Sequence, residues 1–386
     1  MRRPSFLTLI ALTGAFALLS STMAKTPALP LFARALGAPP TLIGWAVMAS
    51  TVPGILVSLP AGFLSDRVGT KPLLLAALFV FATAPFLYLL VHTIDQLALV
   101  RFYHGFATAI FGTIVSAEIV ARYPTSRGHA LGVYSAVSTI GRSIAPFLGG
   151  ALISTTGFPG VYMGCALAGV LALTLGIKTS TDLHPPTKSQ SSSSGQGLAA
   201  VLADRLVLIT STVEALQYLV FGSVEAFLAV YTARNGWPAW RIGLLLGAQL
   251  AVVVLFKPRL GHISDHYGRR PVILWGLALG TLTVAALPFT GNFWLLLMIN
   301  GLFGVGFAAT TAATSALVGD RGRIGGFGTS MGVLRSIMDI GQAIGPVLTG
   351  ALIQWEGYRV AFVALAGLLI AASALFGAQT RGVAHI

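Results

Sequence analysis

The chain states its plan twice, and that repetition constrains its fold more than any other feature. Gly62-Phe-Leu-Ser-Asp66-Arg67-Val-Gly69-Thr-Lys71-Pro72 is answered 199 residues later by Gly261-His-Ile-Ser-Asp265-His-Tyr-Gly268-Arg269-Arg270-Pro271. The same offset carries Ile43-Gly44 onto Ile242-Gly243 and Gly105 onto Gly304. Farther on, Gly141, Pro146 and Gly150-Ala-Leu-Ile153 map onto Gly341, Pro346 and Gly350-Ala-Leu-Ile353 at an offset of 200. One residue of drift over so long a stretch implies two homologous halves.

Each half reads as six apolar segments. The predicted spans are 6–32, 41–63, 72–91, 96–118, 131–154 and 160–178, then 206–232, 240–260, 272–289, 292–317, 326–353 and 358–378. Of 386 residues, 55% are hydrophobic and 9% charged, against about 25% charged in an ordinary soluble domain. Twelve crossings of about 20 residues use about 240 positions and leave about 146 for tails and connections. This excludes a soluble enzyme, a nucleic-acid-binding domain and a disordered chain. It fits an all-α membrane protein of twelve transmembrane helices in two pseudo-symmetric six-helix halves, 1–178 and 205–386. The stretch 179–204, with His184-Pro-Pro186, Lys188 and Ser191 to Ser194, reads as a polar cytoplasmic linker between them.

Arg2, Arg3 and the apolar run Phe6 to Leu19 have the layout of a cleavable leader, but the repeat assigns that run to the first span. The single cysteine, Cys165, excludes a disulfide framework and a cysteine-rich metal site. A net charge of +13 would suggest a polyanionic partner in a soluble protein; in a membrane protein it reflects retention of basic residues in the cytoplasm. With both termini cytoplasmic, 16 of the 24 Lys and Arg lie inside, four (Arg34, Arg234, Arg241, Arg359) outside and four within spans. That asymmetry predicts a multi-pass protein of a prokaryotic-type inner (cytoplasmic) membrane.

The paired motif has a physical reading of its own. Gly69 permits a tight turn between helices, and Gly62 permits close backbone approach. Asp66 can sit against a neighbouring helix N-terminus and hydrogen-bond a basic partner. A lone copy would read as a solvated charged turn; a second at Gly261, Asp265, Gly268, Arg269 and Arg270 makes the motif specific.

This loop resembles the signature of the major facilitator superfamily between its second and third helices, with Thr70 where the family often has a basic residue. Two further motifs resemble its bacterial twelve-helix drug/solute:proton antiporter group. Arg101-Phe-Tyr-His104-Gly105 is similar to an Arg-x-x-Gln-Gly pattern, with His104 for Gln. Gly132, Gly141, Ala145-Pro146 and Gly149-Gly150 match a fifth-helix antiporter signature, with Ala145 for Gly. Close helix packing in lipid explains those glycines equally well. The resemblance implies two halves working by alternating access, with charge clusters at a cytoplasmic gate. Glu118 is expected to join that gate with Asp66, Arg67, Lys71 and Arg321 or Arg323.

Seven ionisable residues fall within spans: Lys25, Arg101, Arg142, Glu214, Glu225, Arg335 and Asp339. Facing lipid, each would cost about 2.5–3.5 kcal/mol or more, so they are expected to face each other or water. Glu214 and Glu225 are 11 residues apart, three helical turns plus about 20°, on one face with Tyr218 and Phe221. Arg335, Asp339, Gln342 and Pro346 share a stripe of the eleventh span. The repeat sets Arg142 opposite Gln342 and Lys25 within one position of the equivalent of Glu225, which suggests a polar substrate and proton pathway lined from both halves. Plainer readings stand beside this: Arg335 and Asp339 neutralise each other at i, i+4, and Lys25 snorkels outward. The resemblance further implies that an arginine at 101 influences the protonation of a membrane carboxylate. Glu214 and Glu225 are the candidates for it.

The seven histidines show no metal-ligand spacing, and no Gly-rich phosphate loop ending in Lys-Ser/Thr is present. No cofactor, metal or enzymatic constellation is therefore expected. The expected action is proton-coupled efflux of a small organic solute by a monomer. The alternatives are uptake or exchange of an organic anion, and a non-transporting membrane sensor on the same fold.

Overall fold

A computed structural model of the chain describes residues 5–179, 194–321 and 326–381, with side chains placed except at 58–63, 66, 194–197, 327 and 328. Among the described residues there are helices and turns but no strand. In hydrocarbon every backbone donor and acceptor must be satisfied within the chain, which favours helices. The elements are α1 (Phe6–Lys25), α2 (Ala28–Ala35), α3 (Pro40–Ala49), α4 (Val52–Val68), α5 (Thr70–Tyr88), α6 (Ile94–Arg122), α7 (Arg127–Thr179), α8 (Ser194–Ala203), α9 (Arg205–Arg234), α10 (Ala239–Tyr267), α11 (Arg269–Ala286), α12 (Phe293–Arg321) and α13 (Phe327–Gln379).

Ten stretches of the described residues are long and apolar enough to cross a bilayer. Two of them, in α7 and α13, lie in helices of 53 residues, which at 1.5 Å per residue would run about 80 Å against a hydrocarbon core of about 30 Å. Each is broken in the middle by a glycine outside helical geometry, Gly157 (φ 71°) and Gly357 (φ 84°). Counting both arms of each gives the twelve crossings expected. The first crossing is itself interrupted. Thr26, ahead of Pro27, is extended (φ −126°, ψ 120°), as a residue before proline prefers, so α1 ends at Lys25 and α2 resumes at Ala28.

The repeat is written into the backbone. Positive-φ glycines recur at the repeat offset as Gly37 and Gly236, Gly69 and Gly268, Gly157 and Gly357. Gly69 (φ 86°) and Gly268 (φ 92°) each end one helix and cap the next, so a single residue turns the chain. The predicted spans before these glycines end at 63 and 260. In the structure α4 and α10 continue to Val68 and Tyr267, because nothing before the glycine interrupts the helix. The motif is therefore two helix ends joined by one residue.

Packing resolves two compact units: Met1–Ala38, Trp45–Gln190 and Trp237–Gly247, and Pro39–Gly44, Ser191–Gly236 and Ala248–Ile386. They follow the two halves of the repeat apart from two short segments at equivalent places, the starts of α3 and α10. In the first unit α1 lies along α7, with Gly141 so close that a Cβ would strike the Ala15 carbonyl. The second unit repeats this crossing 200 residues on, Gly341 against Ala215. Small residues give such backbone approach in lipid, where no hydrophobic force drives helices together. Phe81, Phe111, Leu78 and Ile114 fill the first unit's core. Within that unit Trp240 N donates to Ser154 Oγ at 2.8 Å; within the second, Thr41 Oγ1 donates to Gln354 Oε1 at 2.6 Å.

Candidate functional site

The second unit is organised around α9. Of its most apolar window 83% is buried, against 28–50% for the other candidate spans, so the carboxylates on α9 lie in protein and not in lipid. Glu214 and Glu225 are both buried. The Thr314 hydroxyl on α12 lies 2.6 Å from Glu214 Oε2 and 2.9 Å from the Thr310 carbonyl. Ser315 adds a second hydroxyl, and Lys257 on α10 a positive charge within electrostatic reach.

Thr314 has one proton to give and two acceptors. When it closes the helical bond to Thr310, the contact with Glu214 must be donated by a protonated carboxyl group. When Glu214 is ionised, the hydroxyl turns to the carboxylate and releases the Thr310 carbonyl. The charge on Glu214 thus selects between two hydrogen-bond patterns joining α9 to α12. One turn along α9, Tyr218 meets Phe307 edge-on at 5.0 Å, and Phe221 stacks on Phe307 at 4.2 Å. Phe303, one turn from Phe307, packs against Phe221 at 6.3 Å, and Phe221, Phe303 and Phe307 are all buried.

The first unit holds a different cluster. Arg101 is 3% exposed. Its Nη2 donates to Ser50 Oγ at 2.8 Å and its Nη1 to the Tyr88 hydroxyl at 3.2 Å. That hydroxyl lies 3.3 Å from His104 Nδ1, and the Tyr88 ring stacks on Tyr162 at 4.5 Å. All these partners are neutral.

The two motif joints are built from unlike chemistry. In the first, Thr70 Oγ1 donates to the buried Glu118 at 3.1 Å; Arg67 and Lys71 are exposed. In the second, Arg269 stands where Thr70 does. It ion-pairs with Asp265 one turn back and with Asp320 Oδ2 at 3.2 Å, and donates to Ser264 Oγ at 2.8 Å. Arg270 instead closes on the end of α13, donating to Thr380 Oγ1 at 2.9 Å and the Gly377 carbonyl at 3.3 Å. Gly62 lies on α4 and Gly261 on α10; the Asp66 side chain, the surroundings of Gly62 and all of Arg323 lie outside the described residues. Arg321 is the last residue of α12 and half-buried.

Other predicted residues are placed less centrally. Lys25 is half-buried and closes α1, where a cation suits a helix C-terminus. Arg142 and Arg335 are exposed, Asp339 and Gln342 half-buried. Arg335 is near enough for Asp339 to feel its charge, yet among the described residues the two make no direct ion pair. Of the fifth-helix glycines, Gly141 and Gly149 face α1, and Gly150 faces Ala239 and Gly243, whereas a Cβ on Gly132 would meet open space. Pro146 is buried. Sequence reasoning missed Thr314, Phe303, Phe307, Asp320 and Tyr88. A stripe at 303, 307, 310 and 314 carries the first three, and its helical spacing was the available signal.

The fold is that of a two-unit, twelve-crossing helical membrane transporter. The family model described as Major Facilitator Superfamily matches residues 10–248 and 210–381, and the chain belongs to that superfamily. The quinolone resistance protein NorA of Staphylococcus aureus (strain COL) is 26% identical over 365 residues, covering 89% of this chain and 90% of that protein. The multidrug resistance protein MdtG of Dickeya zeae is 26% identical, covering 80% and 77%. Among solved structures, a bacterial homologue of the lysosomal transporter Spinster superposes with a TM-score of 0.84 at 16% identity, covering 97% of this chain and 96% of that one. The nucleoside transporter NupG gives 0.81 at 16% identity over 98% and 100%.

Proposed function

We propose that this transporter exports a small organic solute in exchange for protons, by alternating access, as a monomer with both termini in the cytoplasm. The observation that carries the proposal is the buried Glu214 carboxyl group on the Thr314 hydroxyl, set beside the rings of Tyr218, Phe221 and Phe307. A carboxyl group inside a membrane protein marks an ion or proton pathway, and the half-buried Tyr218, one turn along the same helix, sets a ring near it that a solute can meet. Two relatives named as a quinolone resistance protein and a multidrug resistance protein point the same way. Glu225 on the same helix is the second candidate carrier, and Asp339 the third.

Purified protein reconstituted in liposomes containing a pH dye, under an imposed proton gradient, tests this with pooled amphipathic solutes. Solute-dependent proton movement that Glu214→Gln, Glu225→Gln or Asp339→Asn abolishes supports exchange and names the carrier. Radiolabelled solute moving without protons would replace this reading with uniport or organic-anion exchange. A substrate driven inward by an inward proton gradient would reverse the direction.

A further inference from the structure

We propose that the Arg101 network in the first unit is a binding site for one small monovalent anion. The inference stands apart from the export reading and rests on which protons have nowhere to go. A guanidinium cannot lose its charge in a protein, and this one is almost wholly buried against neutral groups. On its own helix the acidic residues are Asp95 and Glu118, about 9 Å and about 25 Å away along the axis. Among the described residues no carboxylate pairs with it.

The hydrogen bonds then fix the remaining protons. The Tyr88 hydroxyl accepts from Arg101, and among the described residues His104 Nδ1 is the acceptor its own proton reaches; that pairing satisfies the proton and puts the ring hydrogen on Nε2. His104 Nε2, Arg101 Nε and the Tyr162 hydroxyl are each buried with no hydrogen-bond partner. The network therefore ends in donors and carries an uncompensated positive charge. A cation would be repelled, and a water would accept protons but leave the charge in place. A chloride ion or the carboxylate of an organic solute supplies both the charge and the lone pairs.

Purified protein in detergent, held at constant ionic strength in sodium methanesulfonate, would be titrated with sodium chloride and separately with sodium acetate while thermal unfolding is followed. The expected result is a saturable rise in Tm of several degrees with chloride. It should be absent in Arg101→Gln and shifted several-fold to higher concentration in Tyr162→Phe, which loses one hydroxyl and keeps the ring stack. A rise with acetate alone assigns the site to a solute carboxylate. No saturable rise with either salt overturns the proposal and leaves a water completing the network. A wild-type response in Tyr162→Phe and in His104→Ala also overturns it, so the test stands even where Arg101→Gln does not fold.

Discussion

At the scale of single residues, hydroxyl protons decide more than formal charges. Thr314→Val removes the switchable donor between α9 and α12 without changing any charge. It should slow solute-driven proton movement several-fold in the liposome assay, whereas Thr314→Ser stays near wild type and Glu214→Gln loses tenfold or more. Removal of one partner from a buried hydrogen bond of this kind costs about 1–3 kcal/mol, less than the roughly 5–15 kcal/mol that holds an ordinary fold, so the two effects are separable by thermal unfolding. Arg269 and Asp320 make a contrasting case. Asp265 and Asp320 are 54% and 60% exposed, so Asp320→Asn should change stability by less than about 1 kcal/mol. Arg269→Ala also removes the hydrogen bond to Ser264 and should cost more.

At the scale of elements, the glycines separate packing from decoration. Gly141→Leu would drive a side chain into the Ala15 carbonyl where α1 crosses α7, and should greatly reduce the yield of folded protein on size-exclusion chromatography. Gly132→Ala meets nothing and should be neutral or stabilising, by up to about 1 kcal/mol of helix propensity. If both variants behaved alike, the close crossing would be wrong. The helices themselves were legible in the sequence because a crossing needs a long apolar run, and the joints at Gly69 and Gly268 because a tight turn needs a glycine. The Arg101 cluster was not legible. Ser50, Tyr88 and Tyr162 come from other parts of the chain, and no spacing along α6 points to them. Nor does i, i+4 spacing guarantee a contact: Arg335 and Asp339 have it and form no direct pair.

For the whole molecule, the orientation proposed from the lysines and arginines has a direct check. Cys165 is fully buried, so it should stay silent toward a membrane-impermeant maleimide in intact cells. A cysteine introduced at Asn235, exposed in the turn after α9, should then label from outside, and one at Arg67 only after the membrane is opened. The opposite pattern would invert the topology. The unlike joints of the two repeats have a consequence for how such a molecule answers its surroundings. Thr70 is half-buried and Glu118 buried, so dissolved ions screen their contact less; the carboxylates held by Arg269 are open to solvent, where screening reaches across about 8 Å at physiological ionic strength. Raising the electrolyte concentration should loosen the Arg269 pairs more than the Thr70–Glu118 contact, so two joints cut from one template need not respond together.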